Sequence, residues 1–148
     1  MIKEDIIKEI LKILDEKIEM AQQAIDSAKE SRDNETKSSV GDKYETTRTM
    51  MQFELEKFQV QKSKAENQKN ELLKINISKK YNKVELGSLV FTGAGKFFIS
   101  IGLGKITVNN QTFFCISPAS PIGKLLLGKH ANETFIFQEK QINISELH

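Results

Sequence analysis

Residues 6–28 read IIKEILKILDEKIEMAQQAIDSA. Within them Ile7, Leu11, Leu14, Ile18, Ala21, Ile25 and Ala28 fall alternately four and three apart. That spacing is a heptad seam along one helix face. Ile6, Ile10 and Ile13 widen the stripe at its start, and no Gly or Pro interrupts residues 1–40. A second seam follows: Tyr44, Met51, Leu55, Phe58, Ala65 and Leu72 again step by threes, fours and sevens. Lys62 and Lys69 interrupt it, where their stems can snorkel. Between the seams, SRDNETKSS (31–39) fails the pattern and is rich in turn-forming residues, and Gly41 stops a helix. Each helix alone can bury only one stripe. A short connection makes the two antiparallel partners, an αα-hairpin. A helix of about 30 residues is roughly 45 Å long, so the first half is expected to be an elongated hairpin standing apart from the second.

After Asn76 the hydrophobic period changes to two. Phe97, Ile99, Ile101 and Leu103 alternate with Phe98, Ser100 and Gly102. ITV (106–108), Asn109-Asn110 and TFFCIS (112–117) read as a β-hairpin. ETFIF (133–137), a turn around QEKQ and INISEL (142–147) read as another. Between them Ser120 can cap a short helix, Pro121 fits its first position and Gly128 fits its stop. The expected fold is α+β. Residues 1–76 form an antiparallel coiled-coil hairpin with its tip near 33–45, and 77–148 form a small antiparallel β domain with one short helix.

Composition agrees with that division. Of the chain's 148 residues, 1–76 hold 14 Lys and Arg against 16 Asp and Glu, a net of −2; 77–148 hold 8 against 4, a net of +4. Seven of the eight glycines and both prolines lie after residue 76. No apolar run approaches the about 18 residues of a membrane span. The start, MIKEDIIKEI, lacks the basic end and apolar core of a signal peptide, so the expected location is cytoplasmic. One cysteine, Cys115, excludes an intrachain disulfide and a cysteine-rich zinc site. The overall net charge of +2 does not by itself argue for nucleic-acid binding.

Several residues invite chemical readings. Asp42 and Glu45 stand three apart where the second helix should begin. They fit a capping box, with Asp42 at the N-cap and Glu45 reaching back. They also fit a pair of oxygen ligands on one helix face for a hard cation. A carboxylate tied to a backbone N–H is less free to take a metal, so the two roles compete. Cys115 and His130 could be nucleophile and base, but TFFCIS is an apolar strand in which a free cysteine behaves as a small buried hydrophobe. GAGKFF (93–98) lacks the Gly-Lys-Ser/Thr ending of a phosphate loop and reads as a β-turn. Lys124, Lys129 and His130 form a basic cluster beside SPIG (120–123).

The segment ISPASPIGKLLLGKHANETFIF (116–137) resembles the C-terminal signature of the bacterial GreA/GreB transcript-cleavage factors: a serine-proline, a small helix with a basic residue, then a Leu-Leu-Gly-Lys stretch before a final hairpin. VELGSLV (84–90) is similar to the start of that domain, and GDKYET (41–46) to the family's tip, a Gly-Asp followed three residues later by Glu. DNETKSS (33–39) looks like an insertion at the tip, which makes Asp33 and Glu35 alternates, and Lys124 stands where arginine is common. The resemblance implies an FKBP-like fold for the β domain. It implies a monomeric elongation factor that is not an enzyme alone. Ser120, Pro121, Lys124 and Lys129 would help hold the rim of the RNA polymerase secondary channel. Asp42 and Glu45 would reach the active centre, share a Mg2+ ion with the polymerase and assist cleavage of backtracked RNA, with only indirect contact to that RNA. Other readings stay open: a channel-binding regulator without cleavage, an FKBP-like isomerase or chaperone, and a coiled-coil scaffold.

Overall fold

A computed structural model describes residues 2–38 and 42–148, with side-chain surroundings for 2–34 and 45–148. The chain is α+β: a long N-terminal helical hairpin precedes a six-stranded, mostly antiparallel sheet and one short helix. Helix α1 spans Ile2–Ser38 and α2 spans Asp42–Leu73. The strands are β1 (Leu89–Thr92), β2 (Gly95–Ile99), β3 (Gly104–Val108), β4 (Gln111–Ile116), β5 (Thr134–Phe137) and β6 (Lys140–Leu147), with α3 (Pro121–Leu126) between β4 and β5. No described helix is long and apolar enough to cross a membrane.

Two compact units divide the chain differently from the expected 1–76 and 77–148. One contains residues 1–10 with 70–148, the other 11–69. The change of period at residue 76 is a boundary along the sequence. The units follow what each helical turn buries.

In the unit of residues 11–69, Leu14, Ala21, Ile25 and Ala28 of α1 are buried, as are Leu55 and Ala65 of α2. Ile25, Ala28 and Leu55 form one cluster with Phe58 against it. The lysines that break the α2 seam do more than snorkel. Lys62 Nζ donates to Gln22 Oε1 at 2.7 Å and Lys69 Nζ to Asp15 Oδ1 at 2.6 Å, both on α1. Polar pairs at seam positions fix the register of two helices at some cost in stability. The expected break at 31–39 does not occur where it was placed. α1 continues to Ser38. Side-chain preference for turns is weak against a helix free of Gly and Pro, and Arg32 Nη1 holds this end to α2 through Gln52 Oε1 at 3.3 Å. Gly41, expected to stop a helix, lies outside the described residues.

In the unit of residues 1–10 and 70–148 the sheet order is β3-β4-β2-β1-β6-β5. Three hairpins have two-residue turns. Gly93-Ala94 closes β1–β2, where Thr92 Oγ1 accepts from Ala94 N and donates to Gly95 O. Asn109-Asn110 and Gln138-Glu139 close the others, and all four residues have positive φ, the conformation that matches the twist of the flanking strands. The sheet departs from the all-antiparallel expectation at one pair: β2 runs parallel to β4. The alternation through Leu103 also outruns β2, which ends at Ile99. Ser100–Leu103 turn the chain out to edge strand β3, and Gly104 adopts a φ of +89°.

Adjacent residues of the central strands are both buried: Leu89 with Val90, and Phe97 with Phe98. Consecutive strand residues point to opposite faces, so both faces need covering. Val90, Phe97, Ile99, Phe135, Ile142 and Ile144 form one core with Leu126 of α3. The first turns of α1, within residues 1–10, belong to the same unit, and Ile6, Ile7 and Ile10 there are buried. Asn109 Nδ2 donates to Asp5 Oδ2 at 3.1 Å, and Lys3 Nζ to the main-chain oxygen of His148 at 3.1 Å, pinning these turns to the sheet. The expected short helix is α3, packed on the sheet through Leu126. Ile6 and Ile10, which widen the seam at its start, are thus buried in the sheet-containing unit.

The two kinds of contact in the hairpin should separate in urea unfolding followed by circular dichroism. Leu55→Ala opens a cavity in a closed seam and is expected to cost about 2–5 kcal/mol. Asp15→Ala removes one partner of a pair more than a third exposed and should cost under about 1 kcal/mol. Equal losses would show that the polar cross-links, not the seam, hold the helices together.

Candidate functional site

The described structure places the two groups of candidate residues as follows. Asp42 is the first residue of α2, as expected, but its side chain lies outside the described surroundings, so the capping contacts are not described. Glu45 is exposed one turn further along α2, and its main-chain oxygen accepts from Thr49 Oγ1 at 2.9 Å. Glu45, Arg48, Thr49, Gln52 and Phe53 line a surface groove there. Phe53 and Met50 are more than half exposed, an apolar feature that lies off the seam and was missed in the sequence. Asp33 sits in the helical body of α1 rather than in a turn, exposed, with Oδ1 3.4 Å from Arg32 Nε. Glu35 belongs to the last turn of α1, and its side chain lies outside the described surroundings. Both were placed in the connection between helices; the continuation of α1 corrects that. Among the described residues no group of three or more His, Cys, Asp or Glu could hold a metal ion. Asp42 and Glu45, two hard oxygen donors one turn apart, suit a magnesium ion chemically but supply too few ligands to hold it by themselves.

The α3 region is built around Ser120. Its Oγ accepts from Gly123 N at 3.1 Å and donates to Ser117 O at 2.8 Å. Pro121 occupies the first helical turn, where its missing N–H costs nothing. Gly123 is required by space: a Cβ there would stand 2.3 Å from Ser117 O and 2.7 Å from Ser120 Oγ. After α3, Gly128 N donates to Val84 O and Val84 N to Lys129 O, both at 2.8 Å, so the helix end is tied to the start of the sheet. Of the three consecutive leucines only Leu126 is buried. Leu125 and Leu127 are exposed, with Lys124 between α3's cap and them, and Ile136 of the neighbouring edge strand β5 is 70% exposed. The region around α3 therefore exposes apolar as well as basic residues. The run LLL could not show this, because a six-residue helix turns too few times to establish a period. The basic cluster is also smaller than expected. His130 Nδ1 lies 2.8 Å from Glu133 Oε1, and that hydrogen bond, helped by Lys129, holds the Glu133 carboxyl below its usual range.

Cys115 is buried in β4, and burial pushes its thiol up to about 12. Thiolate, the nucleophilic form, is therefore scarce at neutral pH. GAGKFF is the β1–β2 turn.

No family model matches the chain, and no curated protein matches it. A solved structure similar to it is that of the transcription factor Gfh1, at 17% identity and a TM-score of 0.37, over 93% of this chain and 92% of that one. A likeness of that strength leaves function to be read from the chain's own residues.

Two measurements check the site's construction. Gly123→Ala should cost about 1–3 kcal/mol by overpacking, more than the about 1 kcal/mol expected for loss of the cap in Ser120→Ala. The reverse order in thermal unfolding would remove the crowding argument. Cys115 should react with a thiol reagent at pH 8 only as fast as the domain opens. Reaction of the folded form itself should appear only as pH approaches 12, because burial makes the folded thiol lose its proton later than a free one. Rapid labelling of the folded chain at pH 8 would contradict its burial.

Proposed function

We infer that the chain is a transcription elongation factor of the GreA/GreB type, acting through RNA polymerase. The observation that carries this reading is the folded form of residues 116–137. The stretch resembling the family signature builds a crowded Ser120–Gly123 cap, and Lys124, Leu125 and Leu127 that follow it, like Ile136 of β5, are exposed. A surface with apolar residues and a cation is suited to docking on an acidic, partly apolar partner. In this reading Ser120 and Pro121 shape the face, while Lys124 and Lys129 steer it.

The second part of the proposal concerns Asp42 and Glu45. α2 begins at Asp42, so the two positions share one face of its first turn. Within the polymerase secondary channel they would complete the oxygen ligands of a Mg2+ ion shared with the polymerase. Bound there, such an ion activates water and stabilises charge on the scissile phosphate. The chain lends the carboxylates, orients them by the helix and leaves the remaining ligands to the partner. It is an accessory to the polymerase's own nuclease chemistry.

The test uses stalled, backtracked transcription complexes. Asp42→Asn keeps a capping side chain of similar quality and Glu45→Gln keeps a capping box, while each removes a charge. Both are expected to bind polymerase as the unchanged chain does and to lower stimulated cleavage at least about tenfold, partly restored by more magnesium. Lys124→Glu is expected to weaken binding, most at low salt, with folding intact. If the carboxylate variants cleave normally while Asp33→Asn with Glu35→Gln does not, the working pair is misassigned. If the unchanged chain binds but never stimulates cleavage, a docking-only regulator replaces this reading. Failure to bind, or a stable oligomer in solution, favours the scaffold.

A further inference from the structure

A groove in the unit of residues 1–10 and 70–148 lies away from α3. Its apolar lining comes from Ile2, Ile77, Leu89, Phe91 and Leu147, and three lysines, Lys3, Lys79 and Lys80, also line it. No Asp or Glu side chain lines it. Lys79 is held by Glu85. Lys80 is exposed and pairs with no described residue. Lys3 is 6% exposed, and among the described residues its ammonium meets the His148 main-chain oxygen and, at 4.5 Å, the Tyr81 ring.

We propose that this groove binds a small amphipathic anion with an unbranched alkyl body and a carboxylate head, the alkyl chain lying on Ile2 and Ile77 and the carboxylate meeting Lys3 and Lys80. Concave apolar sites with a few convergent polar groups are the usual form of small-molecule sites. A charge-assisted hydrogen bond gains strength where water is excluded, and Lys3 is such a place. Burial also lowers the Lys3 pKa from the ordinary lysine value, a cost that a neighbouring anion offsets.

Two features select this ligand over others. An extended peptide would need free strand N–H and C=O groups. β1 lies between β2 and β6, and β6 between β1 and β5, so both strands lining the groove are already paired on each side. A nucleobase would need an open aromatic face. The Tyr81 ring has Lys3 and Lys79 over it at 4.5 and 5.1 Å. The Phe91 ring has His148 at 5.3 Å and Lys96 at 5.3 Å. A flexible alkyl chain needs neither.

Dodecanoate, kept below its micelle concentration, is the probe. Calorimetry with the full chain should show saturable one-to-one binding, and methyl resonances of Ile2 and Ile77 should shift on titration. Dodecyltrimethylammonium, with the same tail and the opposite charge, should bind at least tenfold more weakly, and acetate should not bind. Lys3→Met, which keeps an apolar stem, should weaken dodecanoate binding at least tenfold, and Lys3→Arg should retain most of it. The methyl shifts need no variant and stand even if Lys3→Met fails to fold. No saturable binding up to about 1 mM, a level that detects even weak ligands, overturns the proposal. So does binding indifferent to the head-group charge, or binding of an acidic, leucine-rich peptide in place of dodecanoate. Polymerase binding plays no part in these readouts, so they stand or fall independently of the elongation-factor reading.

Discussion

The two-faced burial of β1 and β2 is the constraint on which the β-containing unit depends. Leu89 and Val90, and Phe97 and Phe98, are neighbours in sequence and point to opposite faces, yet all four are buried. A six-stranded sheet with one short helix has one covered face. The second cover has to come from elsewhere in this unit, which also holds the buried Ile6, Ile7 and Ile10 at the start of α1. Burying an isoleucine or leucine side chain is worth about 1.5–3 kcal/mol, so these three residues outweigh the polar pins Asp5–Asn109 and Lys3–His148. The pins set position; the apolar contacts set stability. The same arrangement draws Lys3 into a place where its charge is partly shielded from water, and so creates the groove.

A parallel division of labour runs through the hairpin. Its seam has apolar residues that bury and two lysines that cannot. Lys62 and Lys69 stay at the seam because Gln22 and Asp15 stand opposite them on α1. A heptad pattern alone tolerates a slip by one repeat. Polar partners at fixed places penalise that slip, since a shift by seven residues would set one of the two lysines opposite Lys8 or Lys29 in place of its acceptor. The cross-link from Arg32 to Gln52 continues the same pattern towards the end of the helices.

The α3 face shows how a short motif can be both structural and exposed. Ser120, Pro121 and Gly123 are set by the geometry of a tight cap: one accepts a hydrogen bond, one fits where no N–H is needed, and one has no space for a side chain. The residues beside them, Lys124, Leu125 and Leu127, are not consumed by that geometry. A rigid cap with unconsumed neighbours holds a small surface in a fixed shape, which lowers the entropic cost of docking.

The sequence by itself determined the α+β division, the two seams, the three hairpin turns and the α3 cap, because each rests on local spacing or on a residue's own backbone preference. It could not determine where α1 ends. The turn-forming residues of 31–39 are only weak helix breakers, and a tertiary contact from Arg32 outweighs them. The parallel β2–β4 pair, the second cover of the sheet and the fate of each leucine in LLL were likewise decided by tertiary structure, since they depend on which distant surfaces are left to bury. For the candidate site, the positions Asp42, Glu45, Ser120 and Lys124 were legible as motifs. The pairing of His130 with Glu133, the exposed Leu125, Leu127 and Ile136, and the lysine-lined groove were not. Each joins residues whose proximity no local pattern records, and only the packing of the chain brings their charges and apolar surfaces together.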